Sequence, residues 1–505
     1  MAINFIPNDP LAGATAPAIR TQSKHANRPA SRAGFTFSNP SAEGVFAPGT
    51  AGFLFWQCRE AGILAVSAFE AAAGNLTRWQ GNRKKLPLLQ DAGIDVNAFY
   101  DRASFSFFHR AIQGQTVFSG ASTDVVAHEV GHGILDALRP DLWDAPFLET
   151  GAFHEAFGDC IAILTALEDR QTRDKLLAVT TTLGKKNFVE STAEELSDAI
   201  RRLVPTHNAA EPRHAFNAFQ FQLPETLPDD GGPGELINEV HSFGMLFSGC
   251  FYDLIAGLFA AQASRTQATL LTSARLACQL LIGGVKTALI TPRFFQSVGR
   301  AMVLADEQDH GGANREAIKA AFAGHAIQLG ANALLAPTAV LEGAAPAGRA
   351  AAIGTRTRRD LAARLGATRG ARLSVEAAEL SGERVARVVH TQAVSLSAVH
   401  PRLKGVTAMA PVAVDVGASG ARAAVMGALP EPVSTEREVQ TFVAALLRHG
   451  QIEMAPAAKG TRSRGAVAGK PQPVRRETHV IKVVRGKKML VRVRFHCGCR
   501  HTATR

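Results

Sequence analysis

The segment AHEVGHGILDAL, residues 127–138, sets His128 and His132 four positions apart, with Glu129 directly after the first histidine. On a helix, positions i and i+4 lie one turn apart on the same face. Two imidazoles so placed can meet one zinc ion at roughly 2.0–2.1 Å. Glu129 then points to the side of the pair, where a carboxylate reaches a metal-bound water rather than the metal. Taken alone, the motif also fits two helix histidines that share a face by chance. A second segment, GAFHEAFGDC from Gly151, weighs against that reading because it spaces Glu155 and Asp159 one helical turn apart. A hydrolytic zinc site needs three protein ligands and one open position. Glu155 can be the third ligand, and Asp159 can accept the outer N–H of a ligand imidazole, fixing the ring. Both carboxylates stand among Ala, Phe, Gly, Cys and Ile, where an unpaired charge is costly to bury.

The elements that must position these groups are mainly helical. From about residue 50 to 330, apolar residues recur at spacings of three and four in FWQCREAGILAVSAFEAAAG, STDVVAHEVGHGILDAL, GAFHEAFGDCIAILTALED, TAEELSDAIRRLV, HSFGMLFSGCFYDLIAGLFAAQ, LLTSARLACQLLIGGVKTALI and REAIKAAFAGHAI. Residues 1–45, rich in Ala, Pro, Ser and Asn, read as a flexible lead-in. Residues 331–370 read as an Ala-, Gly- and Arg-rich linker. The region 371–505 then turns shorter in period and β-like (ERVARVVHTQAVSL), with one helix (EREVQTFVAALLRHG) and a second linker from residue 455. It closes on two alternating strands, THVIKVV and KKMLVRVRF, around an RGKK turn.

A chain of 505 residues suggests two or three domains. Its net charge of +11 is unevenly spread. Residues 331–505 hold 28 Lys and Arg against 11 Asp and Glu, while the first 330 hold 27 against 33. The basic region is expected either to meet an anionic partner or to dock on the acidic part of its own chain. A solvated tail is the plain alternative. FHCGCRH, with His496, Cys497, Cys499 and His501, is too compact to wrap one tetrahedral zinc unaided, and reads as a redox-active or incidental pair. The six cysteines lack the spacing of a disulfide framework. No secretory signal pattern opens the chain, so a cytoplasmic location is the default expectation, with signal-independent export left open. The longest apolar stretches are interrupted by Asp253, Arg275 and Lys286, so no membrane span is expected.

STDVVAHEVGH, followed by the Glu of GAFHEAFGD 23 residues after His132, resembles the thermolysin-like gluzincin metalloproteases. VNAFYD (96–101) is similar to that family's edge-strand motif, NEVHSFGMLFSG to the segment with its third important histidine, and VGRAMVLADEQDHGGANREAIKAAF to its C-terminal helices. The resemblance covers about residues 50–330 and none of the basic third. It implies an α+β fold with a catalytic module over 46–330, mainly helical around the zinc site with a small N-terminal β part, and leaves 371–505 as an α+β or β-rich accessory region. It implies a zinc-dependent endopeptidase with one Zn2+ held by His128, His132 and Glu155, and with Glu129 as general base. His241 would be the donor that stabilises the intermediate, and Arg213 the carbonyl-side arginine. Asn97 and Ala98 would bind substrate backbone as an added strand.

The departures from the family are specific. The tyrosine expected between the zinc helices is missing, and Trp143 offers only an N–H there. The acidic partner of the third histidine falls on Leu236, with Glu235 or Glu239 as substitutes. Asp124 matches one Ca2+ ligand position but Ala166 occupies another, so Ca2+ is left open. Two other function classes remain. One is an inactive gluzincin scaffold that binds peptides or presents the basic domain, against which the retained Glu129 argues. The other is a non-proteolytic zinc hydrolase.

Overall fold

The structure, a computed structural model, describes residues 2–329, 365, 373–380, 383–419, 422–426, 434–454 and 477–497. The expected 331–370 linker, Leu365 apart, lies outside the described residues, as do 455–476, Cys499 and His501.

The centre is helical. Helix α1 (Ala51–Ala73) starts where the Thr50 side chain accepts from the Phe53 N–H, and α2 (Thr123–Leu138) starts likewise at Ser122, which accepts from Val125. α3 (Leu148–Glu168) packs along α2 and is buried over nearly its whole length, as α2 is. Helices apolar on all sides are those at the middle of a large core. α4 (Arg170–Val179) and α5 (Glu194–Leu203) lie outside them, and α6 (Val240–Ala260), α7 (Gln267–Thr287), α8 (Phe294–His310) and α9 (Arg315–Gly324) complete the module. Phe153 on α3 meets Phe247 on α6 and Phe294 on α8 edge-on, at centroid distances of 4.8 and 5.1 Å, an arrangement that ties three helices together. By length and composition alone α6 and α7 are apolar enough to cross a membrane, but 78% of the α6 stretch is packed inside the protein.

The residues expected as a mobile lead-in are built into this module. β1 (Ala2–Phe5) pairs antiparallel with β2 (Arg20–Ser23), burying Ile3 and Phe5. The Asn8 side-chain amide donates to the Phe188 carbonyl at 2.6 Å, and the Asn8 carbonyl accepts from Thr123 at 3.1 Å. Two alternating apolar residues are too short a run to register as a period, yet they suffice to seat a strand against α1.

A second sheet carries the edge that matters for the site. β3 (Gly34–Thr36) runs parallel to β4 (Lys85–Leu89), β4 runs parallel to β6 (Phe105–Phe107), and β5 (Ala98–Tyr100) runs antiparallel to β6. A hairpin, β7 (His109–Ile112) and β8 (Gln115–Phe118), and a two-residue pair, β9 (Ser191–Thr192) with β10 (Arg213–His214), lie nearby.

The C-terminal region is a mixed sheet over one helix. Its strands are β11 (Ser374–Leu380), β12 (Glu383–Ser395), β13 (Val406–Ser419), β14 (Arg422–Met426), β15 (Ile452–Glu453), β16 (His479–Val484) and β17 (Lys487–Arg492), and its helix is α10 (Thr435–Arg448). β16 and β17 form the expected hairpin. Its two turn residues, Arg485 and Gly486, both have positive φ, 48° and 77°, as a tight right-twisting hairpin requires. The sheet is fastened to the helical module. The Ala413 N–H donates to the Ile290 carbonyl at 3.1 Å, and Arg293 lies between Glu149 (3.2 Å) and Glu438 (2.6 Å). Two residues beyond β17 the chain leaves this sheet. β18 (Phe495–His496) pairs antiparallel with β5 of the other one.

Candidate metal centre and cleft

Two glycines let α2 and α3 approach. A Cβ on Gly131 would lie 2.8 Å from the Gly158 Cα, and one on Gly158 would meet the His128 ring at 2.6–2.9 Å. With that spacing, α3 brings its carboxylates onto the histidines of α2. Glu155 Oε2 is 3.3 Å from His128 Nε2 and 3.6 Å from His132 Nε2. The ligand atoms of the three residues all lie within 4.8 Å of one another. Four ligands at zinc bond lengths in a tetrahedron stand about 3.3–3.4 Å apart. Both ring nitrogens of His132 are buried without a hydrogen-bond partner. A buried imidazole of that kind costs free energy unless its nitrogen has something to coordinate, so the residues present fit a zinc ion.

The outer partners are set as closely. Asp159 Oδ1 is 2.8 Å from His128 Nδ1, so the carboxylate accepts from that nitrogen and leaves Nε2 facing Glu155. Arg213 donates to Asp159 from Nη2 at 2.8 Å and from Nε at 3.1 Å. Burial would raise the Asp159 pKa, but the Arg213 guanidinium and His128 hold it well below the usual carboxylate range. For His128, burial disfavours the charged ring, yet Asp159 and Glu155 lift its pKa to about 9. Metal binding would therefore displace a proton from it. Burial and neighbouring His128 push His132 the other way, well below its ordinary value.

Glu129 is fully buried, and neither of its oxygens has a hydrogen-bond partner. Burial, more than the opposing pull of His128, pushes its carboxyl up to about 8. A cation held by His128, His132 and Glu155 would favour the charged carboxylate and draw that value down, toward the form that can accept a proton.

His241 stands at the first turn of α6, with Nε2 3.2 Å from Glu155 Oε2. Glu239 is the helix cap, accepting from the backbone N–H groups of His241 (2.8 Å) and Ser242 (3.1 Å), and its other oxygen is 2.8 Å from His241 Nδ1. Of the two substitutes considered for the missing acidic partner, it is Glu239 that reaches the ring. Glu235 instead accepts from the Gly232 N–H. Trp143 is placed differently from the sequence expectation. Its N–H donates to the Arg492 carbonyl at 3.1 Å, which removes it as a donor toward the centre.

Asn97 and Ala98 lie on the side of β5 away from β6, where the chain's own C-terminal strand has joined the sheet and both residues are buried. The Cys497 N–H donates to the Ala98 carbonyl at 2.9 Å, and the Asn97 side chain accepts from the Ala98 N–H at 2.9 Å. Phe495 stacks on His154 (4.1 Å) and His132 (4.9 Å), with Trp143 edge-on at 5.2 Å. The His496 carbonyl is 2.6 Å from His241 Nε2. The Cys497 thiol lies 3.7 Å from the Arg213 guanidinium, and burial pushes its pKa up to about 12. The sequence reading missed His154, Phe495, His496 and Cys497 as cleft residues. The alternating VRVRFHC marked a strand, but nothing in its composition says which sheet it joins.

Two helix histidines and a glutamate from the next helix converge beside a buried glutamate without a hydrogen-bond partner, a donor set that fits a hydrolytic zinc site. Residues 106–333 match the family model of the fungalysin metallopeptidases (M36). Over that region the chain is similar to a metallopeptidase domain of a gluzincin-type family, of which the thermolysin-like resemblance is the coarser description. The match includes the HExxH helix and the helix with Glu155, and ends before the C-terminal sheet. No curated protein matches the chain.

Proposed function

We propose that this protein is an endopeptidase in which His128, His132 and Glu155 hold the catalytic zinc and Glu129 is the general base. The observation that carries the reading is the pairing of the three convergent donors with a buried, unpartnered Glu129 on the same helix. When bound, zinc supplies Lewis acidity, lowering the pKa of a water and polarising the peptide carbonyl. The remaining steps belong to the chain. Glu129 takes a proton from the attacking water at one carboxylate oxygen and returns it to the nitrogen of the leaving amine.

His241 donates from Nε2 to the carbonyl oxygen as negative charge develops there. Glu239 holds the ring in place through Nδ1. Asp159 fixes the His128 tautomer, and Arg213 neutralises Asp159. Ala98, at the start of β5, and Asn97, just before it, offer backbone to a substrate strand. A cleft that accepts extended backbone along a sheet edge, rather than a chain terminus, suits internal peptide bonds.

The test is Glu129→Gln, which keeps all three ligands and removes the base. It should bind one zinc per chain and lose hydrolysis of a peptide library. Cleavage at near the wild-type rate would rule out Glu129 as the base. A zinc content far below one per chain would remove the assigned ligand set.

A further inference from the structure

Phe495, His496 and Cys497 are buried, at 1%, 3% and 5% exposure, and they lie where a substrate of the proposed peptidase would lie. The pairing is antiparallel, Phe495 opposite Tyr100 and His496 opposite Phe99, along the free edge of β5. The His496 carbonyl meets the one nitrogen, His241 Nε2, that is set to donate to a reacting carbonyl. The Cys497 side chain then enters the hollow lined by Leu196, Ile200, Arg213 and Met245. On the other side, Phe495 fills the aromatic slot between His132, His154 and Trp143, with the Arg492 guanidinium 4.1 Å over its ring.

The segment is also held from behind. Trp143 and Arg492 exchange hydrogen bonds at 3.0 and 3.1 Å, and the Arg492 N–H donates to Asp144 at 3.2 Å. Only Val493 and Arg494 separate β17 from β18, so the placement of the C-terminal sheet on the helical module dictates where the strand goes.

We propose that Phe495–Cys497 is an internal inhibitor bound in the register of a substrate, with the His496–Cys497 peptide bond at the reaction centre, and that the C-terminal sheet holds it there. This rests on the peptidase reading above and adds its regulation. It also gives the cleft a preference, an aromatic side chain one residue before the residue that supplies the scissile carbonyl. Backbone pairing to β5 gives the strand affinity in any sequence, and the Phe495 slot gives it selectivity.

The experiment compares full-length chains. Cys497→Pro removes the N–H that Ala98 accepts, Phe495→Ala empties the slot, and Cys497→Ala leaves the pairing intact. Turnover of a short neutral peptide should rise by at least ~10-fold in the first two, the scale set by one buried aromatic anchor. It should stay low in the wild type and in Cys497→Ala. The synthetic hexapeptide RVRFHC, residues 492–497, should inhibit Phe495→Ala competitively, and its Phe→Ala version should inhibit at least ~10-fold less well.

A second readout needs no catalysis. Fluorescent RVRFHC should bind zinc-free Glu129→Gln/Cys497→Pro, measured by anisotropy, and should not bind zinc-free Glu129→Gln. If that binding contrast holds while no variant hydrolyses any peptide, the inhibitor stands and the peptidase reading falls. Equal and measurable turnover across all four chains, or equal hexapeptide binding with and without Cys497→Pro, would overturn the inhibitor. Should Phe495→Ala fail to fold, by circular dichroism, Cys497→Pro and the binding contrast decide alone.

Discussion

Gly131 and Gly158 face each other across α2 and α3 so closely that a Cβ on the first would stand 2.8 Å from the Cα of the second. The metal centre depends on this approach. Glu155 and Asp159 flank Gly158 on α3, three residues before it and one after, and both reach the His128 ring. A longer side chain at either glycine would move the carboxylates off the imidazole. That gives a physical reason for glycine inside two long buried helices, where it otherwise weakens the helix by about 1 kcal/mol relative to alanine.

Gly158→Ala should therefore spoil the site rather than stabilise the helix. Its Cβ would meet Nδ1, Cε1 and Cγ of His128 at 2.6–2.9 Å, so the ring must turn and lose Asp159. Zinc affinity should fall by about 10–100-fold, the range for a lost outer partner of a ligand histidine. Competition with a chromogenic chelator measures this, and unchanged affinity would show that α3 can shift without cost.

Asp159→Asn should weaken zinc binding by a similar factor and carry a pH signature. The Asp159 carboxyl sits well below its ordinary value of 3.8 because Arg213 and His128 favour its charge more than burial opposes it. A group with a depressed folded-state pKa contributes stability that is fully present above the unfolded value. That stability is lost as pH falls through the folded one. The difference in urea midpoint between the zinc-free wild type and Asp159→Asn should be largest near neutral pH. It should narrow only as the pH is taken below 3.8. A gap that stayed constant down to strongly acid pH would mean the carboxylate charge contributes nothing.

Much of the helical module and the grouping around the zinc helices was legible because both signals are local. HEVGH and HEAFGD fix residue types at helical spacings, and a helix turns those spacings into a shared face without help from the rest of the chain. Glu239 was legible only as one of two choices. The distinction between it and Glu235 depends on where α6 begins, and helix starts are the least certain boundaries to read. Built-in order at Ile3 and Phe5, and the path of Phe495 into the cleft, were not legible. A short alternating strand declares which of its faces is buried but not its partner strand, since the backbone groups that pair it are the same in every sequence. The charge asymmetry left an anionic partner, docking on the acidic part of the chain and a solvated tail equally open, because net charge carries no geometry; the contacts between the described parts include both exposed pairs, Arg448 with Asp229 and Arg437 with Glu225, and the buried Arg293 between Glu149 and Glu438.

Arg293 tests those buried contacts. Its guanidinium lies between Glu149, at the start of α3, and Glu438 on α10, with all three side chains no more than 8% exposed. Glu149 also accepts from the Phe295 N–H at 2.9 Å. Arg293→Met would leave two buried carboxylates without their shared cation, a loss of about 3–5 kcal/mol when one member of a buried pair is removed. The triple variant Arg293→Met, Glu149→Gln, Glu438→Leu removes the stranded charges as well, keeps an acceptor for Phe295, and should recover most of that loss. Thermal or urea unfolding of the three chains measures both steps. If Arg293→Met alone unfolded at the wild-type midpoint, the ion triad would not be what fastens the C-terminal sheet to the helical module. The backbone contact between Ala413 and Ile290 and the hydrogen bonds between Trp143 and Arg492 would then have to hold it, and Trp143→Phe would become the more damaging change.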